Sequence, residues 1–455
     1  MSINTLLDMC ELIVDCPHST PKWTDSGFTV LRNQAIKKGS LNLKDCSFTD
    51  ELNFNARIKR AAPKSGDIVI TREAPMGEVC KIPDNLICCL GQRQVLLRPK
   101  HDVDADYLLY VLQSKKVQEQ ILWNEGTGST VSNLRIPVLE RLEIPRFGRF
   151  EKTIGEILKS LDDKIHLNNQ INQTLESIAQ AIFKSWFIDF DPVRAKIAAK
   201  QEGKDPERAA MCAISGKSED ELDQMTKEDF AELQATATLF PDELVESELG
   251  EVPKGWDKYS LSKMITLIGG GTPKRSEPNY WNGDIFWFSV KDVPNEGEVF
   301  VITTQEKISE LGLNKSSTKL LPVGTTIITA RGTVGKIALV GYEMAMNQSC
   351  YGVQGINGVR QFMTYYLIKN AVEVLKKNTH GAVFDTITQS TFDTVTSIKP
   401  SIEMMDLFES KVEKIMGHIK NNLYENNSLI ALRDTLLPKL LSGELDVSGV
   451  QDEVA

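Results

Sequence analysis

Residues 331–336 read RGTVGK, the stretch of this 455-residue chain that comes nearest to a phosphate-cradling loop. A P-loop needs glycine five positions before its Gly-Lys pair, so that backbone N–H groups can close on phosphate, and Ser or Thr after the pair to hold magnesium. Ala330 and Ile337 stand in those places, so the motif fails. Other catalytic equipment is missing too. The chain has no HExxH zinc helix, no GxSxG elbow, no GxGxxG cofactor turn and no (D/N/S)PP(Y/F) stretch for gripping a flipped base, and its five histidines are scattered. Asp162 and Asp163 fall in a helical pattern, where a solvated pair is the simpler reading than an acid–base pair. Cys10, Cys16 and His18 are a conceivable zinc group, against the plainer reading of strand and loop residues. With eight cysteines and no CxxC pair, a reducing cytoplasm is expected.

What the chain does carry is polar side chains suited to DNA. Arg, Lys, Asn and Gln are the side chains able to make two-bond contacts to guanine or adenine edges in the major groove. In the first third, Lys22, Trp23, Arg32, Asn33, Arg72, Gln92, Arg93 and Asn133 sit in turn-rich stretches. Further on, Lys274, Arg275, Lys291, Arg331, Asn347, Gln348, Thr379 and His380 do the same. Arg331 reads either as a base reader or as a surface arginine in a hairpin turn.

The net charge of −10 looks wrong for a DNA partner until its distribution is considered. Residues 201–251 hold 15 acidic and 4 basic side chains, so the rest of the chain is close to neutral. That permits basic patches without requiring them. No apolar run reaches the ~18 residues of a membrane span, and the N-terminus lacks the basic-then-apolar pattern of a secretory signal.

The positioning elements are written twice. Residues 66–79 read GDIVITREAPMGEV and residues 324–337 read GTTIITARGTVGKI, each with a second glycine eleven positions after the first. STPK at 19–22 answers GTPK at 271–274, and Pro145 answers Pro400. Offsets of 252 to 258 between copies imply a duplicated domain with loop insertions. Strands are predicted at 28–31, 67–71 and 95–97 with a helix at 105–123. The second copy has strands at 285–290, 326–329 and 337–340 and a helix at 361–377. Each copy is therefore α+β. Residues 196–239 read as a helix-rich acidic insert, decorating the surface.

A long helix follows each copy. Residues 150–187 and 408–441 keep apolar residues at alternating spacings of four and three, the signature of a coiled-coil seam. Both put asparagine at the same two seam positions, Asn168 and Asn172 in the first and Asn422 and Asn426 in the second. Paired antiparallel, Asn168 would meet Asn426 and Asn172 would meet Asn422, fixing register; the alternative is a solvated or rotated stretch of seam. Trp186, Phe187 and Phe190 exceed what one seam needs, and are expected either to dock a partner or to cover the helix ends.

Residues 157–196, ILKSLDDKIHLNNQINQTLESIAQAIFKSWFIDFDPVRAK, and 432–447, LRDTLLPKLLSGELDV, resemble the helical regions of the specificity subunits of type I restriction–modification enzymes. Residues 269–293 and 330–349 are similar to that family's target-recognition pattern. The first copy departs from it, with HSTPKW in place of GGTP. The resemblance implies two pseudo-symmetric α+β target-recognition domains separated by two long helices in an antiparallel coiled coil. The expected map is target-recognition domains at 1–148 and 251–400, helical regions at 149–195 and 401–446, an acidic insert and linker at 196–250, and a tail at 447–455. It further implies a non-catalytic, cytoplasmic chain that reads double-stranded DNA in two unlike halves. Two methyltransferase subunits and motor–nuclease subunits would be its partners, and S-adenosylmethionine, ATP and magnesium would belong to them. A helix of ~33 residues, roughly 50 Å, would exceed one DNA turn. The rival readings are a stand-alone DNA methyltransferase or nuclease, and a scaffold that binds protein only.

Overall fold

The computed structural model describes residues 2–123, 133–247, 250–378 and 386–447. It divides into two compact units, one formed by 1–165 with 427–455 and the other by 166–426. No helix among the described residues is long and apolar enough to cross a membrane.

In the first unit Cys10–Asp15, Gln94–Pro99, Ile68–Thr71 and Val79–Lys81 lie side by side in that order, all antiparallel. The run IVIT is buried throughout because the sheet is covered on both faces. Ile68 and Ile70 point into one core with the helix Ala105–Gln113, while Val69 points into another with Cys16, Cys80 and Leu96. A second sheet places Cys88–Leu90 parallel to Phe28–Leu31, followed by Ser47–Thr49 and Trp23–Thr24.

The second unit repeats this plan. Ile265–Gly269, Cys350–Gly355, Thr326–Thr329 and Ile337–Val340 are antiparallel in the corresponding order, with Phe300–Val301 added at the edge. Met344–Met346 lies parallel to Trp281–Phe288, which then pairs with Glu306–Ile308. The matched glycines of the repeat now have a cause. Gly77 N–H donates to the Thr71 carbonyl at 2.9 Å, and Gly335 N–H to the Thr329 carbonyl at 2.9 Å, closing the same hairpin twice. Both glycines have φ near +80° (85° and 79°), which glycine adopts without strain.

The predicted helix over 105–123 is two helices, Ala105–Gln113 and Lys115–Trp123. Ser114 takes an extended backbone between them, and its carbonyl and its hydroxyl both accept the Val117 N–H, at 3.1 and 3.4 Å, starting a new helix. Serine competes for backbone groups in this way, which its place in the apolar pattern concealed.

The acidic insert is more than decoration. Its helices Asp191–Gln201, Pro206–Ser215, Glu219–Asp223 and Lys227–Thr238 enclose a small core of Ala210, Met211, Leu222 and Ala237. Asp205, Ser218 and Thr226 cap three of them. Lys196 is buried, donates to the Phe240 carbonyl at 2.9 Å and pairs with Glu207 at 2.8 Å. The insert is thus built into the second unit, and its surplus acids face outward.

Two long helices, Glu151–Phe187 and Ile402–Ser442, contribute to both units. In the second unit their seam carries the asparagines. Asn168 Nδ2 donates to Asn426 Oδ1 at 2.9 Å and to Glu425 at 2.8 Å. Asn422 Nδ2 donates to Asn172 Oδ1 at 2.8 Å, and Asn426 Nδ2 to Asn169 Oδ1 at 2.8 Å. As one helix advances the other retreats, so the pairing is antiparallel. Asn168 Oδ1 and Asn172 Nδ2 are buried with no partner among the described residues. Each such group costs about 1–3 kcal/mol, so the layer specifies register at the expense of stability. In the first unit the seam meets again where Arg433 pairs with Asp162 at 2.7 Å.

Trp186, Phe187 and Phe190 do not form a free docking face. They are buried (3%, 4% and 6% exposed) in the second unit's core. Trp186 packs edge-on to Phe240 at 5.3 Å, Phe187 to Phe408 at 5.2 Å, and Phe190 to Trp256 at 5.9 Å. The surplus aromatic surface covers the end of the helix, and the partner-docking expectation for these three residues is corrected.

Two predictions follow from this packing. Trp186→Ala should destabilise the chain by about 3–5 kcal/mol through the cavity it leaves, measured by urea denaturation; a loss below 1 kcal/mol contradicts the burial. Asn172→Leu with Asn422→Leu should hold or raise the denaturation midpoint, because it removes an imperfectly satisfied polar layer; a drop of more than about 1 kcal/mol would show that the layer stabilises.

Candidate nucleic-acid interface

The polar candidates of the first unit gather where the strands of its two sheets end. Arg72 directly follows Ile68–Thr71, Asn33 follows Phe28–Leu31 by two residues, and Gln92 and Arg93 lie between Cys88–Leu90 and Gln94–Pro99. Glu73 ties them together. Its carbonyl accepts from Asn33 Nδ2 at 2.6 Å, and its carboxylate accepts from Asn133 Nδ2 at 2.6 Å and from Arg93 at 3.1 Å. Arg72 is buried, with Nε donating to the Leu134 carbonyl at 2.9 Å, one terminal nitrogen pairing with Asp15 at 2.7 Å and the other donating to Asn133 Oδ1 at 3.1 Å.

These bonds divide the candidates. Arg72, Asn33 and Asn133 are occupied internally and shape the rim. Arg32 stacks its guanidinium over the half-exposed Trp23 ring at 4.9 Å and donates to Ser47 at 3.1 Å. Arg93, Trp23 and Lys22 present exposed surface. Arg93 has φ of +65°, a conformation in which a non-glycine residue is uncommon. Gln92 Nε2 donates to the His18 carbonyl at 2.6 Å and to Thr20 Oγ1 at 3.0 Å.

In the second unit Arg275 lies over Trp281 at 3.8 Å from the ring centroid and pairs with Glu306 at 2.9 Å, a bond that holds the Glu306 carboxyl below its ordinary range. Lys274, Lys291 and Gln348 are exposed, and Gln348 accepts from the Thr272 hydroxyl. Asn347 Oδ1 accepts the Ser349 N–H at 3.0 Å, a bond internal to its turn. Arg331 is exposed and has no ion pair among the described residues; its backbone bridges Thr386. Of the two glycines that flank Arg331, Gly335 closes the hairpin and packs against Val372, while Gly332 has open space beside it. Thr379 and His380 lie outside the described residues.

Cys10 and Cys16 are buried, and burial pushes the Cys10 thiol up to about 12 and raises that of Cys16. The His18 ring faces Asp15 at 3.1 Å. Among the described residues no three His, Cys, Asp or Glu side chains are grouped as a metal requires. The zinc alternative is dropped.

Sequence reasoning missed Glu73, Asp15 and Thr20, which orient the candidates around them. Acids and threonines were not sought as partners of the cationic and amide groups, although Glu73 immediately follows Arg72.

Arg72→Met should therefore cost about 3 kcal/mol of stability, because it strands Asp15 and Asn133. Arg331→Ala should leave stability within about 0.5 kcal/mol and, if Arg331 grips a base, relax one position of a bound target at a cost of about 1–3 kcal/mol. Denaturation midpoints and target mapping check the pair; equal stability loss from both variants contradicts the division.

Comparison with known proteins gives a consistent likeness. A family model for the type I restriction modification DNA specificity domain matches residues 6–177 and 253–404. The chain is 37% identical over 426 residues to the type I restriction enzyme HindI specificity subunit of Haemophilus influenzae, covering 88% of this chain and 91% of that one. It is 26% identical over 422 residues to the MjaIX specificity subunit of Methanocaldococcus jannaschii, covering 90% and 83% respectively. Among solved structures, the type-I restriction-modification system S subunit from M. genitalium aligns with a TM-score of 0.51 at 14% identity, over 96% of this chain and 95% of that one. That last likeness concerns the fold alone.

Proposed function

We propose that this chain, which belongs to the type I restriction–modification DNA specificity family, reads DNA for a restriction–modification complex and performs no catalysis itself. The observation that carries the reading is the duplication. One sheet framework is built twice, with the same strand order and the same glycine-closed hairpin, and each copy carries a differently composed rim of cationic and amide side chains. Equal frameworks with unlike rims suit two independent readers, so the DNA target is bipartite and asymmetric.

In this reading the two long helices fix the spacer between the half-sites and dock two methyltransferase subunits, to which motor–nuclease subunits add. S-adenosylmethionine, ATP and magnesium serve those partners, and the complex works in the cytoplasm. Trp186, Phe187 and Phe190 are no longer part of the docking surface, since they are buried within the chain.

Exchange of residues 251–400 for the matching segment of a related protein tests the proposal. Methylation mapping should show one half-site changed, with the other half and the spacer retained. Simultaneous change of both halves or of the spacer contradicts two independent readers. Incubation of the purified chain with S-adenosylmethionine, magnesium and DNA should give neither methylation nor cleavage; either product would favour a self-contained enzyme.

A further inference from the structure

The two units share one local structure whose residues are identical. Thr20-Pro21-Lys22 and Thr272-Pro273-Lys274 occupy equivalent turns, each with the proline buried and the lysine exposed. Both turns are anchored at the same three points. The carbonyl before the threonine accepts a buried side-chain donor, from Arg57 to Ser19 at 2.8 Å in one unit and from Trp287 Nε1 to Gly271 at 3.1 Å in the other. The lysine carbonyl also accepts a side-chain donor, from Thr49 Oγ1 at 2.7 Å and from the partly buried Trp281 Nε1 at 3.2 Å. The threonine hydroxyl bonds the glutamine that follows the equivalent strand, Gln92 or Gln348. The anchors on the carbonyls differ in kind between the units, yet the turn they hold is the same.

Such anchoring fixes the backbone beneath Lys22 and Lys274 and leaves their ammonium groups in solvent. Neither forms an ion pair among the described residues, and Asp50, the acid near Lys22, is already engaged by the N–H and amide of Asn53. A lysine is a point charge on a flexible stem, suited to phosphate, whereas base discrimination favours groups that make two fixed hydrogen bonds. A residue that two readers of unlike half-sites share cannot account for the difference between those half-sites. What they share must serve a need common to both, and the DNA backbone is common to both.

We propose that the two Thr-Pro-Lys turns are matched phosphate clamps, in which Lys22 and Lys274 each hold one backbone phosphate and neither reads a base. The inference rests on the DNA-reading function proposed above. The clamps set affinity and seat each unit on the duplex, and the unlike rims beside them read the sequence.

The test uses the full chain assembled with its methyltransferase subunits. Fluorescence anisotropy would follow binding to a duplex carrying the methylation-mapped target and to a scrambled duplex, between 50 and 200 mM salt. Lys22→Ala and Lys274→Ala should each lower the slope of log affinity against log salt by about 0.9, and the double variant by about 1.8, on both duplexes alike. Over that fourfold salt range each missing contact then removes about 3.5-fold of the salt-dependent loss. Lys22→Arg and Lys274→Arg should restore the slope, and the methylated target of a host expressing the double variant should be unchanged. Unaltered slopes, or a loss confined to the mapped target with one relaxed base position, overturn the clamp. A wild-type complex that binds neither duplex overturns the DNA-reading function itself, and the clamp with it.

Discussion

The second unit depends on a register that buried amides impose on two helices. Asn168 and Asn172 have no exposed surface, and the bonds they make to Asn426 and Asn422 are available in one antiparallel alignment only. A slip along the seam would bury each amide against an apolar side chain, at a cost of several kcal/mol. Everything farther along the first helix inherits that alignment. Glu176 pairs with Lys369 on the helix Gln361–Asn378. About two and three turns beyond, Phe183, Trp186 and Phe187 meet Tyr366, Phe408 and Trp256. Asn168 Oδ1 and Asn172 Nδ2 have no partner among the described residues, so the layer contributes register more than binding energy between the helices.

The units themselves illustrate how one scaffold carries two surfaces. Each central sheet carries a core on both faces and its inner strands Ile68–Thr71 and Thr326–Thr329 are buried throughout, which leaves little freedom in the framework. Freedom is confined to the strand ends, where the first unit assembles Arg72, Asp15, Asn133, Asn33 and Glu73 into one network. At the second unit's rim, Arg275 lies over Trp281 at 3.8 Å and within 5.2 Å of the Trp287 ring. Internal bonds of this kind hold the rim in shape, and the cationic and amide groups not tied inward remain for a ligand.

Much of this was legible in the residues because the physics involved is local or periodic. The hairpins at 68–81 and 326–340 follow from matched glycines, and the long helices from a seam repeating every seven residues. The Ser114 break was not legible, since serine inside an amphipathic pattern is compatible with either outcome until its backbone is seen. Nor were the roles of Trp186, Phe187 and Phe190, because surplus apolar surface on a helix looks the same whether a partner or the chain itself covers it. How the candidate rim divides into groups tied inward and groups left exposed was not legible either. An arginine's availability depends on whether an acid such as Asp15, distant in sequence, has already taken it.

The central claim is that two units of one framework read two unlike pieces of DNA. Methylome sequencing of a methylation-free host expressing this chain with its methyltransferase subunits tests it most directly. The account predicts one new methylated motif, made of two short unlike sequences separated by a spacer of fixed length and indifferent composition. A continuous motif, a palindrome with equal halves, or no new methylation would contradict it.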